Sequence, residues 1–381
     1  MNTAVIVEIH LLQSLPYSNI NRDDLGSPKQ MIYGGTDRTR VSSQAWKRVT
    51  RHAVEAAVGQ ETKRTRYVAQ AVSERLQQRG WPADLADAAG AQVLLSALKA
   101  SPKKDKNGLK TDEEGRSSAL LYLPTTALDE LADLAEQHRS DIEAKIGQAK
   151  PSAALPSDRV AHILATTNAT IHLFGRMLAE LPGADVDGAV QVAHAFTTHT
   201  TTPEIDFFTA VDDLQPAHAQ GSAHMNSAEF SSGVFYRYAN VDVRALHTQL
   251  GPTDADMTQT LVRQFLHAFA TSIPTGKQRS TAAQTLPDLI HIAVRSDRPV
   301  SMSAAFESAV RADGTGYAQR SREQLSAYAT QMRRLWGTNA LLWDGYATID
   351  DRPLTGLGEP VDSFPALIDH ALAAAFEQER Q

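Results

Sequence analysis

The sequence has no cysteine in its 381 residues, which excludes disulfide bonds, thiolate nucleophiles and cysteine-based zinc sites. No apolar run approaches the ~18 residues of a transmembrane helix, and the N-terminus lacks the basic and then apolar pattern of an export signal. These absences together predict a cytoplasmic protein.

Sequence motifs typical of catalysis are also missing. The chain has no H-E-x-x-H zinc motif, no Walker loop, no G-x-S-x-G motif and no dinucleotide-binding fingerprint. Acids and histidines nevertheless concentrate in the polar segment 199–231. They are His199, Glu204, Asp206, Asp212, Asp213, His218, His224 and Glu229. A metal-dependent nuclease using these groups is the main alternative function, although no two histidines lie four residues apart and Asp212 with Asp213 better suits a cap or a protein contact.

The remaining composition is that of a soluble globular protein, with 42% apolar and 21% charged residues. A length of 381 residues suggests two or three domains, or one domain that carries large insertions. The net charge of -7 argues mildly against nucleic acid as a partner. The distribution of charge matters more than its total, because a local groove can be positive on an acidic body.

Positive charge concentrates in the stretch from Asn21 to His52. Between Leu25 and His52 the chain carries six Lys or Arg against one acid, a net charge of +5. The six cations are Lys29, Arg38, Arg40, Lys47, Arg48 and Arg51. Lys47 and Arg51 lie one helical turn apart, where like charges cost about 0.2–0.5 kcal/mol. A polyanion would offset that cost, so the stretch predicts a phosphate-binding site. A solvated basic helix is the alternative.

A glycine-containing loop and a helix carry these cations. Gly34 and Gly35 let backbone amides approach a ligand, and Ser42 or Ser43 can cap a helix that Gly59 ends. The free N–H groups and positive dipole end at the start of the helix would strengthen an anion site. The apolar stripe of the helix is predicted to be Ala45, Val49, Ala53 and Ala56.

The hydrophobic pattern predicts an α+β protein. Strands are expected at 4–12, 189–198, 233–241 and 286–295. Residues 60–182 are predicted to be helical, with helices at 125–146 and 158–181 and a charged loop at 101–118, and 199–231 to be irregular. Further helices are expected at 253–272, 303–312, 320–336 and 363–379. Apart from 60–182 the order is strand, helix, strand, strand, helix, strand, the ferredoxin-like pattern of RNA-recognition domains.

Three ordered blocks of sequence are distinctive. The first block is NRDD at 21–24, followed by Lys29, Tyr33–Gly35, Arg38, Arg40–Gln44, Lys47 and Arg48. The second is TTH at 197–199, EIDFFTAVDDLQ at 204–215, GSAH at 221–224 and EFSSGVFYRYAN at 229–240. The third is GKQR at 276–279, with PVSMSAAFE from residue 299. In this order the blocks resemble the CasC family, the backbone subunit of the type I-E CRISPR surveillance complex Cascade.

The resemblance implies a hand-shaped molecule with a ferredoxin-like, or RRM-like, palm. The palm would comprise residues 1–59, 183–198 and 232–381, with helical fingers at 60–182 and a projecting thumb at 199–231. The resemblance also implies a non-catalytic protein of antiviral defence that binds CRISPR guide RNA (crRNA) in a ribonucleoprotein complex. Copies would form a helical filament along the guide, beside other Cascade subunits, and present it to target DNA. A monomeric RNA-binding module is a third possibility.

Apolar residues of the thumb and fingers are implied to contact bases. Phe208 and Met225 match thumb residues that wedge between bases, and Met177 matches a finger residue that packs near the displaced base. By residue type alone, Phe207, Phe208 and Met225 could instead pack in a local core, and Met177 in a helix core. The extra residues Pro216–Gln220 would alter the reach of the thumb.

The residues expected to bind RNA come from all three blocks and from the fingers. They are Arg22, Lys29, Ser42, Gln44, Lys47, Arg48, Arg51, Met177, Phe208, Met225, Lys277 and Arg279. The resemblance places Lys277 and Arg279 near the RNA path or the next subunit. Neither a metal nor a cofactor is expected.

Overall fold

The computed structural model describes residues 4–97, 109–148, 152–178, 181, 183–210, 224–251, 254–312 and 314–377. The chain forms two compact units. The first comprises Met1–Val54 and Val190–Gln381, and the second comprises Glu55–Ala189. The range 60–182, predicted as a helical domain, lies inside the second unit.

The first unit begins with a long strand, a hairpin and the basic helix. These elements are β1 (Ile6–Ser18), β2 (Gln30–Tyr33), β3 (Thr36–Val41) and α1 (Ser43–Val58), whose last turn is assigned to the second unit. The strand predicted at 4–12 is confirmed and continues to Ser18, which is still buried. The predicted end of α1 is confirmed as well, because Gly59 follows it with a positive φ of 68°.

The second unit contains a small sheet as well as helices. Its elements are β4 (Thr62–Thr65), α2 (Val68–Gln78), α3 (Ala83–Ser96), β5 (Leu121–Pro124), α4 (Thr125–Gln137), α5 (Arg139–Glu143), α6 (Ser157–Ala165) and α7 (Ala169–Phe174). The prediction of helix throughout is wrong, because β4 and β5 pair antiparallel. The helix predicted over 158–181 is divided, since the Asn168 side chain accepts a hydrogen bond from the Ile171 N–H and starts a new helix.

The chain then returns to the first unit. The remaining strands are β6 (Val190–Val192), β7 (Ala195–Thr197), β8 (Glu204–Ala210), β9 (His224–Asp242), β10 (Leu289–Arg295), β11 (Leu341–Thr348) and β12 (Glu359–Pro360). The remaining helices are α8 (Val243–Leu250), α9 (Ala255–Thr271), α10 (Gln278–Thr281), α11 (Ala318–Trp336) and α12 (Phe364–Glu377). Short 3-10 helices occupy Ser303–Phe306 and Thr355–Leu357, so the helix predicted at 303–312 is wrong beyond its first turn.

One sheet joins strands from both ends of the chain. Its order is β12-β11-β10-β1-β9-β7-β3-β2, and β6 and β8 also pair with β9. In the middle, Ile9 of β1 lies opposite Ile292 on one side and Ala239 on the other. The mixed α and β content agrees with the predicted class. Within the described ranges, no helix combines the length and apolarity needed to cross a bilayer.

The segment 199–231, predicted to be irregular, contains most of a two-stranded ribbon. β8 pairs antiparallel with the first part of β9 along its whole length. A ribbon without a buried face needs no alternation of apolar and polar residues, so the hydrophobic pattern did not reveal it. Residues 211–223, including Asp212, Asp213, His218 and Pro216–Gln220, lie outside the described part of the chain.

Candidate nucleic-acid interface

The loop between β1 and β2 is closed by its own hydrogen bonds. The Asp23 carboxylate accepts from two backbone N–H groups of the loop, both at 2.9 Å. The Lys29 N–H donates to the Asn21 carbonyl at 3.1 Å, and Arg22 forms a backbone bridge with Pro28. Arg22, which is exposed, and Lys29 therefore lie on opposite arms of a closed loop.

Two asparagines attach this loop to its surroundings. The side-chain oxygen of Asn21 accepts a hydrogen bond from the Ser42 N–H at 2.8 Å, directly before α1. The side-chain amide of Asn19 donates to the carbonyls of Gly26 and Glu229, at 2.9 and 2.8 Å. The loop, the start of α1 and strand β9 are thus held in one framework.

The GKQR segment packs against the start of the same loop. A Cβ atom on Gly276 would lie 2.7 Å from the Ile20 carbonyl oxygen, so the approach requires glycine. Lys277 follows in the left-handed conformation with φ 53°, which costs a residue with a side chain about 1–2 kcal/mol. Lys277 and Arg279 are thereby held close to the chain that leads into the loop.

The β2–β3 hairpin uses one of its cations and one of its glycines for packing. The buried Arg38 side chain donates to the carbonyls of Thr197 at 2.8 Å and Phe306 at 3.1 Å, and burial lowers the pKa of Arg38. A Cβ atom on Gly34 would lie 1.6 Å from the Glu307 carbonyl oxygen. Gly34 therefore allows the hairpin to approach Glu307. Because Arg38 is buried, the positive charge accessible to a ligand is smaller than the net charge of +5.

The buried face of α1 differs from the predicted apolar stripe. Trp46, Thr50 and Val54 are fully buried, whereas Ala56 is exposed. The predicted stripe of Ala45, Val49, Ala53 and Ala56 is therefore wrong in phase. Small alanines fit either side of a helix, and the large Trp46 side chain decides which side is buried.

Arg237 on β9 fixes α1 to the sheet. Its guanidinium carbon lies 3.7 Å from the centroid of the Trp46 ring and 4.7 Å from that of Phe269. The same guanidinium donates to the Gln13 side chain and to the Phe269 carbonyl. Burial lowers the pKa of Arg237 to about 9. This packing sets which residues of α1 face outward.

The outward side of α1 carries the residues expected to bind RNA. Gln44, Lys47, Arg48 and Arg51 fall within an arc of about 100° at 3.6 residues per turn. Gln44 and Arg48 are exposed, and Lys47 and Arg51 are half-buried. The Arg51 guanidinium lies 3.3 Å from the Nε2 atom of His52. The structure therefore brings all four expected residues of α1 to one face.

A groove of about 630 Å³ opens at the start of this face. Three of the expected residues, Lys29, Ser42 and Gln44, line it together with Arg40 and His194. The rest of its lining comes from Met31, Tyr33, Ala193, Phe196, Tyr236, Ser301 and Ser303. The sequence interpretation missed Arg40 and His194 as site residues. The local positive charge could have identified Arg40. No feature of the sequence indicated His194, which lay inside a predicted strand.

The ribbon of β8 and β9 presents large apolar side chains to solvent. Phe207 and Phe208 are consecutive strand residues, so they project from opposite faces of the ribbon. Their exposed fractions are 71% and 46%, so the alternative of local core packing is wrong for both. Met225 pairs with Thr209 in the ribbon, and its side chain lies outside the described part of the structure.

Hydroxyl groups and a ring stack fix the base of this ribbon. The Thr39 hydroxyl lies 2.6 Å from that of Ser231, and the Thr39 N–H donates to the Thr201 hydroxyl at 2.7 Å. Tyr17 stacks on Phe230 with 4.7 Å between ring centroids. The ribbon is therefore joined to β1 and β3 where it leaves the sheet.

His199, one of the candidate metal ligands, is used for packing. Its ring stacks on Tyr317 with centroids 3.6 Å apart. Its Nε2 atom accepts from the Val234 N–H at 3.2 Å, and its Nδ1 lies 3.0 Å from the Thr200 carbonyl as the donor. Both ring nitrogens are thus engaged. Among the described residues, no group of three or more His, Asp or Glu could hold a metal ion.

Met177, in the second unit, is 87% exposed, so the helix-core alternative is wrong. It follows the end of α7, where Gly175 has a φ of 79°. The preceding Arg176 is buried and donates to the carbonyls of Ala184 at 2.6 Å and Thr166 at 2.9 Å. Met177 is therefore an exposed apolar residue on an anchored segment.

Comparison with known proteins identifies the family. The profile of the CT1975-like protein family matches residues 7–368. The chain belongs to the CT1975-like family. Two solved structures are similar to this CT1975-like protein. A chain of a "CRISPR RNA-guided surveillance complex, pre-nicking" is 51% identical, with a TM-score of 0.89, and the match covers 97% of this chain and 100% of the other.

A chain of a second "CRISPR RNA-guided surveillance complex" is 44% identical, with a TM-score of 0.79. That match covers 97% of the CT1975-like protein and 99% of the other chain. A search of curated proteins finds no match. The structural matches and the family profile confirm the resemblance that the three sequence blocks indicated.

Proposed function

We propose that this protein is a non-catalytic backbone subunit of a CRISPR surveillance complex and binds the guide RNA. One observation carries the proposal: a groove lined by Lys29, Ser42 and Gln44 continues into the basic face of α1. Cations on a helix face grip phosphates, which are alike in every guide, so binding would not depend on sequence. The similar chains, at 51% and 44% identity, belong to RNA-guided surveillance complexes.

The first unit would be a ferredoxin-like palm, the ribbon its thumb and the second unit the fingers. The series β1, α1, β7, β9, α9 and β10 follows the order strand, helix, strand, strand, helix, strand, which supports this assignment. Phe208 and Met225 of the thumb would insert between bases, as apolar wedges do in other nucleic-acid-binding proteins. Met177 of the fingers would pack near a displaced base.

Copies of the chain would stack head to tail along the guide. Such a heterologous interface continues until another component ends it, so the length of the guide would limit the filament. Leu25 in the loop and Ile32 in the hairpin are 92% and 75% exposed, which suits a contact with another copy or another Cascade subunit. The RNA held in this way would present bases to target DNA.

The test is to purify the full chain from cells that express a CRISPR array and to digest the bound nucleic acid with RNase or DNase. The proposal expects RNA of defined length that RNase degrades and DNase leaves intact. A purified chain that carries no RNA would contradict it. The nuclease alternative receives no support from the described residues, because no group of three or more His, Asp or Glu among them could hold a metal ion and His199 uses both of its ring nitrogens.

A further inference from the structure

His194, between β6 and β7, has a defined proton position. Its Nδ1 atom accepts a hydrogen bond of 3.0 Å from the N–H of Ser43, the first residue of α1. A backbone N–H can only donate, so Nδ1 carries no proton and the neutral ring carries its proton on Nε2. The ring therefore caps α1 with one nitrogen and keeps an N–H donor on the other. The side chain is exposed and lines the groove.

The surroundings keep this ring neutral. Although the side chain is exposed, partial desolvation of the ring lowers the pKa of His194, and the positive charges of Arg40 and Lys29 lower it further. The other titratable groups of the groove are the phenols of Tyr33 and Tyr236, and burial raises the pKa of both. Protonation of His194 would also break the bond from Ser43. The groove thus combines two cations with a neutral nitrogen donor.

A sugar–phosphate chain offers acceptors for both kinds of donor. Lys29 and Arg40 suit the charged phosphate oxygens, and neutral donors add hydrogen bonds without releasing counterions. The hydroxyls of Ser301 and Ser303 line the same groove and extend its uncharged part. A neutral donor can serve a phosphate oxygen or the ribose 2′-hydroxyl, which distinguishes RNA from DNA.

We propose that His194 donates its Nε2–H to a sugar–phosphate oxygen of RNA in this groove while its Nδ1 positions the start of α1. The inference rests on the proposed RNA-binding function and adds a residue, an atom and a charge state to it. His194 is then an uncharged RNA contact, unlike the neighbouring Lys29 and Arg40.

Two substitutions distinguish the role of Nδ1 from that of Nε2. In His194→Asn the side-chain oxygen can replace Nδ1 as the acceptor of the Ser43 N–H, but the Nε2–H donor is lost. In His194→Gln the longer amide can replace the Nε2 donor, but the cap is lost. His370→Asn makes the same chemical change at an exposed position on α12 and is the matched control. Melting temperatures of all three variants report on folding.

The assay is binding of labelled single-stranded RNA and of DNA of the same sequence, at salt concentrations of about 50 to 200 mM. His194→Asn should weaken RNA binding about 2- to 12-fold, equivalent to about 0.5–1.5 kcal/mol for one hydrogen bond, with an unchanged salt slope. His194→Gln should bind more tightly than His194→Asn, and His370→Asn should match the wild type. A loss confined to RNA assigns the 2′-hydroxyl as acceptor, and equal losses assign a phosphate oxygen.

Two results would overturn the inference. One is wild-type affinity in His194→Asn. The other is RNA binding that tightens as the pH falls from about 8 to 6 in the wild type but not in His194→Asn, since this would make the histidine a cation. A wild-type chain that binds no RNA would refute the proposed RNA-binding function. That result differs from the two above, so failure of the function and failure of the His194 contact can be told apart.

Discussion

Replacing Lys29, Lys47 and Arg51 together with Ala should flatten the salt dependence of RNA binding. Lys29 lines the groove, and Lys47 and Arg51 lie on the adjoining outward face of α1. Each cation that neutralises a single-strand phosphate contributes about 0.7 to the slope of log affinity against log salt. Losing three such contacts should therefore reduce the slope by about 2.

This change is large enough to measure by fluorescence anisotropy with labelled RNA. Between about 50 and 200 mM salt, the affinity of the wild type should fall about 20-fold more than that of the triple variant. Two RNAs of unrelated sequence should give the same change in slope, because phosphate contacts carry no sequence information.

Two arginine variants serve as controls. Arg334→Ala removes an exposed guanidinium from α11 and should leave the slope unchanged. Arg38→Ala removes a buried guanidinium that donates to three backbone carbonyls, so it should lower the melting temperature instead. If the triple variant binds RNA with the wild-type slope, the RNA lies elsewhere and the α1 face is a solvated basic surface.

Three further outcomes are expected. Phe208→Ala with Met225→Ala should keep the fold but weaken target-strand binding by about 1–3 kcal/mol per lost base contact; unchanged periodic base exposure in chemical probing would contradict the wedge role. Gly34→Ala should lower the free energy of unfolding measured in urea. The left-handed backbone contributes about 1–2 kcal/mol to the loss, and displacement of Glu307 by the new Cβ atom contributes about 1–3 kcal/mol. Wild-type stability of this variant would refute the expectation. The protein with Mg²⁺ or Mn²⁺ should leave RNA and DNA intact, and cleavage that Asp213→Ala abolishes would restore the nuclease alternative.

Elements with a regular apolar pattern in the sequence were located, whereas elements without one, including the buried strand β5, were missed. β1 and α11 carry regular apolar patterns, and both were located. The β8–β9 ribbon has exposed faces and therefore no such pattern. The phase of α1 depends on Trp46, which packs under Arg237 of a distant strand. No local pattern contains that contact.

The candidate site was predictable where its residues are close in sequence. Ser42, Gln44 and Lys47 belong to one contiguous block, which supplied both the local charge and the family resemblance. His194 reaches the groove only because the following strand, β7, pairs with β3 in the sheet. Charge counting also could not distinguish the buried Arg38 from a surface cation, since burial depends on the packing of Phe306 and Thr197 around it.

We propose that several copies of this chain share one guide RNA. Native mass spectrometry of the purified complex, with sequencing of the RNA from the same sample, gives the number of copies on each RNA. We expect particles that contain more than one copy of the chain on a single CRISPR guide RNA. A monomer without nucleic acid, or one copy of the chain on each of many unrelated RNAs, would contradict it.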